Sequence, residues 1–132
     1  MNEKKITPLQ IATAITFMTT GILHFVVERF FIAIVPKSLP NPKALVYISG
    51  VAEFAGGVGV LIPKTRKLSG QGLILLLLVV FPANINMALN PERFKQFPAW
   101  GLWARLPLQF AIIGQVWAAT QRGKQPAAAP AE

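Results

Sequence analysis

Four apolar runs of about twenty residues, separated by short basic or proline-rich links, leave this chain few folds to choose from. The plainest run contains LILLLLVVF, from Leu73 to Phe81. A backbone that enters hydrocarbon must satisfy its own hydrogen bonds, and about 20 helical residues cross about 30 Å of it. The spans are expected at about 8–27, 44–62, 68–89 and 99–120. The expected fold is therefore all-α, an integral membrane bundle of four transmembrane helices in one domain over residues 1–120. Residues 121–132, ending QPAAAPAE, read as a disordered tail. Lys4 and Lys5 precede the first run as in a signal peptide, but its length and the lack of a small-residue cleavage site favour an uncleaved span.

The links support this reading. VPKSLPNPK, Val35 to Lys43, is too proline-rich for a helix, and ERFFIAI before it suits a short amphipathic segment in the interface. KTRK, Lys64 to Lys67, reads as a tight basic turn after Pro63, and NPERFKQFP as a polar and aromatic link. Lys4, Lys5, Lys64, Arg66, Lys67, Arg122 and Lys124 fall on one side of the bundle. Arg29, Lys37, Lys43, Arg93 and Lys95 fall on the other. The excess places both termini in the cytoplasm.

Composition removes several functions. The chain is 53% hydrophobic and 14% charged, with a formal charge of +8. Its cations flank the apolar runs, which points to an anionic bilayer as partner and away from nucleic acid. There is no cysteine, so disulfides, thiolate catalysis and thiolate metal sites are excluded. His24 is the single histidine, which excludes a bis-histidine haem within one chain. With His24, Glu28 and Glu53 as ligands a metal site would be oxygen-rich and incomplete, so no metal is expected.

The polar residues converge by depth. At ~1.5 Å of rise per residue, Glu53 lies roughly 13 Å and Arg105 about 9 Å below the same boundary. His24, Glu28, Asn84 and Asn86 lie nearer to it, while the opposite half reads mostly as Leu, Ile, Val and Ala. Gly21, His24 and Glu28 fall on one helical face, as do Gly50, Glu53 and Gly57, and Arg105 and Gln109 are i, i+4 neighbours. Pro82 and Pro107 free the carbonyls of Leu78 and Trp103, which need donors such as Asn84 and Arg105. The expected site is a polar cavity walled by four helices, with His24, Glu28, Glu53, Asn84, Arg105 and Gln109 as candidates and a Glu53–Arg105 pair at its centre. Two uses stay open. A carboxylate in the bilayer costs at least about 2.5–3.5 kcal/mol on insertion scales, which favours a ligand or proton role. The same groups can serve only to lock helices together. No complete catalytic constellation is visible. Transport is disfavoured, because no inverted repeat is present.

Four motifs carry a family resemblance. GILHFVVERFFIAIVPKSLP resembles the first-span motif of DoxX-like membrane proteins, and SGVAEFAGGVGVLIP the second. FPANINMAL is similar to the third and RLPLQ to the fourth, so the resemblance runs from Thr16 to Thr120. It implies a four-span protein of the bacterial cytoplasmic membrane with Gly21, His24, Pro36, Glu53, Pro82, Asn84, Arg105, Pro107 and Gln109 at motif positions. The family takes its name from a subunit of a thiosulfate:quinone oxidoreductase, and other members are linked to redox-stress complexes. The function implied is an accessory redox subunit that binds a quinone or lipid-like ligand, with a redox partner protein or a second copy beside it. The alternative is a membrane scaffold or assembly factor.

Overall fold

Each helix starts where local chemistry starts it. In the computed structural model, which describes residues 5–95 and 97–121, α1 spans Pro8–Val26. Thr7 caps it by accepting from the Gln10 N–H, and the Gln10 side chain accepts from the Thr7 N–H in return. The chain breaks at Val27 and resumes as the seven-residue α2, Glu28–Ile34. α3 spans Pro42–Leu61 and α4 spans Pro63–Leu89. A single 3-10 turn, Pro91–Arg93, leads to α5, Ala99–Thr120. Prolines open α1, α3 and α4, where their fixed φ suits the first turn and no N–H is required.

The described residues are all-α, and α1, α3 and α4 are each long and apolar enough to cross a membrane. α5 matches the expected bounds, but it carries Arg105, Gln109, Gln115 and three tryptophans and falls short on apolarity. The expected amphipathic ERFFIAI segment is α2. The expected tail from Arg122 onward lies outside the described residues.

KTRK is not a turn. α3 and α4 reverse at Ile62 alone, and Lys64 to Lys67 form the first turns of α4. Pro63 restarts the helix at once, and the basic segment caps the helix it follows. Arg66 Nε donates to Val60 O at 2.7 Å and Thr65 Oγ1 to Gly59 O at 2.8 Å. Cationic donors at the negative end of α3 are the favourable arrangement there.

α3 packs on α1 and α4, and α5 packs on α4 and more lightly on α1. α3 and α5 thus stand at opposite corners. Phe17, Val60, Leu73 and Val116, one from each long helix, form the central core. A second core gathers Ile34, Met87, Ala88, Phe94 and Leu102 where α2, α4 and α5 meet. The half expected to be mostly apolar is also stitched by polar bonds between α1 and α5. Gln10 Nε2 donates to Ala119 O at 3.0 Å, and Gln115 Nε2 to Thr13 Oγ1 at 3.1 Å.

α1 and α3 meet at close range. A Cβ added at Gly21 would lie 2.7 Å from Gly50 O and 2.8 Å from Phe54 N. Only glycine lets these backbones approach so far, which is how small residues serve membrane bundles.

Candidate functional site

The α1–α3 contact positions the first polar cluster. His24 is one turn after Thr20 on α1, and Glu53 faces both from α3. His24 Nε2 lies 3.2 Å from Glu53 Oε2, with side chains 8% and 12% exposed. Thr20 Oγ1 donates to Glu53 Oε1 at 2.5 Å. His24 Nδ1 lies 2.7 Å from the Thr20 carbonyl. A carbonyl oxygen only accepts, so Nδ1 carries a hydrogen. A hydrogen bond between Nε2 and Oε2 then needs one further proton. Neutral imidazole accepts it from a carboxylic acid, or imidazolium donates it to a carboxylate; both forms of the pair are neutral overall. Phe31 of α2 stacks on the imidazole at 4.1 Å between ring centroids and 17° between planes. His24 therefore has a carbonyl on one nitrogen, a carboxyl on the other and a phenyl ring on one face.

The partner expected for Glu53 was Arg105, and the packing overturns that pairing. Arg105 lies on α5, at the corner opposite α3. Its Nη1 contacts Met87 Sδ at 3.2 Å. Asn84 and Gln109 form the second polar cluster, between α4 and α5. Asn84 Nδ2 donates to Gln109 Oε1, and Gln109 Nε2 donates to the carbonyl of Leu77. Leu77 immediately precedes Leu78, whose carbonyl Pro82 leaves without its helical donor. The expected donors Asn84 and Arg105 are turned to Gln109 and Met87, and Gln109 donates to Leu77 beside the freed Leu78 carbonyl and not to Leu78 itself. Asn86 points elsewhere, with Nδ2 3.4 Å from Ile34 O.

Glu28 leaves the α1 face as well, because the break at Val27 ends the helical register that would have aligned it with Gly21 and His24. It accepts from the Tyr47 hydroxyl at 2.7 Å, and Lys43 Nζ lies 3.9 Å away. This rim group ties the start of α2 to α3.

The six expected residues thus fall into separate groups: His24 with Glu53, Asn84 with Gln109, Glu28 at the rim, and Arg105 apart. Among the described residues no hydrogen bond or ion pair joins one group to another. The groove of about 280 Å³ between α1 and α3 is lined by Gly21, Ile22, Phe25, Val51, Phe54 and Ala55, all apolar. Among the described residues no group of three or more His, Cys, Asp or Glu side chains is placed to hold a metal. Sequence reasoning passed over Thr20, although its i, i+4 spacing to His24 marks the same face. It also passed over Met87, which nothing in the sequence tied to Arg105.

No curated protein and no solved structure matches the chain. A family model does, over residues 13–121, which covers every helix of the bundle apart from the start of α1. The chain belongs to that family, the domain of unknown function DUF8561.

Proposed function

We propose that the chain is a DoxX-like four-span protein of the bacterial cytoplasmic membrane, with both termini in the cytoplasm. In this reading it serves as an accessory subunit of a membrane redox system. α5 is the fourth span: its 22 residues are enough to cross a bilayer, and its Gln109 is satisfied by Asn84 and the Leu77 carbonyl of α4. The subunit binds a quinone-like lipophilic ligand and handles protons for it. Reduction of a quinone to a quinol takes two electrons and two protons. The electrons come from a partner redox protein, and the His24–Glu53 pair passes the protons one at a time.

The observation that carries this reading is the pair itself. It is buried, sets the His24 Nε2 against the Glu53 carboxyl, and has Nδ1 held by the Thr20 carbonyl. Ionisable groups inside spans are costly and mark ligand or proton sites. The apolar groove beside Gly21 and Phe54 offers a place for a lipid-like tail. A second reading, a scaffold or assembly factor, draws on a different observation: Thr20, His24 and Glu53 satisfy one another within the α1–α3 interface.

Native mass spectra of the full-length protein in mild detergent separate the two. A quinone mass bound to wild type and missing from folded Glu53→Gln supports the redox subunit. If both proteins are empty, the redox reading falls and the scaffold reading takes its place.

A further inference from the structure

Arg105 stands outside the His24–Glu53 pair, and its surroundings raise a separate question. A guanidinium stays charged in any protein and offers five N–H donors. Inside a span it needs strong acceptors. Among the described residues it receives only the Met87 thioether, a weak acceptor. The other candidate acceptors are engaged elsewhere. Glu53 is held by His24 and Thr20, and Glu28 by Tyr47 and Lys43. Gln109, one turn along α5, accepts from Asn84 and turns its amide to Leu77. Phe31 stands between this region and His24, stacked on the imidazole and packed against the Met87 core.

The remaining nitrogens of Arg105 are not sealed in. Among the described residues, Ser49 Oγ is the only fully buried side-chain polar atom without a partner. Arg105 itself is half-buried, and its remaining donors are not among the buried unpartnered atoms. Their level is set by Met87, two residues or about 3 Å inside the end of α4 at Leu89. The backbone of Arg105 lies six residues, or about 9 Å, inside the start of α5 at Ala99, and its long side chain reaches from there to Met87. Arg29, Lys37, Lys43, Arg93 and Lys95 lie in α2, the connecting segments and the start of α3, on the same side of the bundle, and favour negative charge there.

We propose that Arg105 is the reader of a phosphate-type oxyanion at the α4–α5 end of the bundle. Its fork takes two oxygens of the anion side by side, while Met87 Sδ keeps its contact with Nη1. The geometry that fits a carboxylate or phosphate bidentately is a property of guanidinium and not of ammonium. The oxyanion can be the phosphodiester of an anionic phospholipid or free phosphate. This inference does not depend on the redox reading, since neither His24 nor Glu53 takes part.

The test uses the full-length protein in mild detergent, with occupancy read by native mass spectrometry. Phosphatidylglycerol is titrated against diacylglycerol, which keeps the tails and lacks the phosphate. Wild type is expected to prefer the phosphorylated lipid by about tenfold or more, the scale of one charge-assisted bidentate contact. Displacement of that lipid by millimolar inorganic phosphate would show that the oxyanion alone is read; retention would show a lipid site. Both outcomes support the proposal. Folded Arg105→Gln is expected to lose the preference, whereas Arg93→Gln, an exposed cation, is expected to keep it. Arg105→Lys, which preserves the charge and drops the fork, is expected to bind several-fold more weakly than wild type. Equal binding of the two lipids by wild type would overturn the proposal. So would an equal loss in Arg93→Gln and Arg105→Gln, or unchanged binding in Arg105→Lys if Arg105→Gln fails to fold.

Discussion

A single methyl group at Gly21 tests the central packing of this bundle. The added Cβ would meet Gly50 O at 2.7 Å and Phe54 N at 2.8 Å, where ordinary contact begins at 3.4 Å. Both neighbours are backbone atoms and cannot rotate aside. α1 and α3 must therefore part by about 0.7 Å, an overpacking that costs about 1–3 kcal/mol. The same displacement stretches the His24–Glu53 contact from 3.2 Å to about 3.9 Å, beyond hydrogen-bond range. Gly21→Ala is thus expected to lower the unfolding temperature in detergent and to weaken whatever the pair binds. Gly72→Ala is the control, since a Cβ there meets nothing within 4 Å. It is expected to be neutral or stabilising, by up to about 1 kcal/mol from helix propensity. Equal unfolding temperatures for Gly21→Ala and Gly72→Ala would refute the close approach and the argument built on it.

Other outcomes follow from the same contacts. His24→Leu and Glu53→Leu singly should each cost about 3–5 kcal/mol by leaving a buried group unmatched, and the double variant less than their sum, read by a thermal double-mutant cycle. Gln109→Leu strips partners from both Asn84 and the Leu77 carbonyl and should cost about 1–3 kcal/mol in the same assay. Tyr47→Phe should leave the unfolding temperature unchanged and speed amide exchange in α2, because it cuts the bond to Glu28. Because the chain has no cysteine, single Lys5→Cys and Lys64→Cys variants should label from one face of the membrane, and Ser38→Cys and Lys95→Cys from the other. Labelling of Lys5→Cys and Lys95→Cys from the same face would remove the four-span reading.

Much of the fold was legible because apolar run length maps directly onto helices. The bounds of α5 and the short helix at ERFFIAI followed from the sequence. Position along each helix was legible too, since rise per residue is fixed. Neighbourhood was not. Glu53 and Arg105 lie at similar expected depths, yet depth carries no information about which helices share a side of the bundle. α3 and α5 took opposite corners, so Glu53 found His24 and Thr20, and Arg105 found Met87. The fate of Glu28 depended on one residue, Val27, whose φ of −117° and ψ of 48° end the helical register. KTRK misled for a related reason. A basic tetrapeptide after proline is compatible with a turn, but its side chains reach back to the carbonyls of Gly59 and Val60, and a helix delivers them there.

The single-residue connection at Ile62 leaves α3 and α4 no slack at that end. Arg66 and Thr65 clamp it further by holding the last carbonyls of α3. Any relative motion of the two helices is then a pivot at Ile62, and displacement grows with distance from it. Glu53 lies nine residues away, so a tilt of about 5° moves it by about 1 Å. The arms of the hairpin work like tweezers with the grip at Ile62. The tips carry Tyr47 on one arm and Met87 on the other, the levels of Glu28 and Arg105. Motion is therefore concentrated where the ionisable groups are, while Val60, two residues from the pivot, stays nearly still.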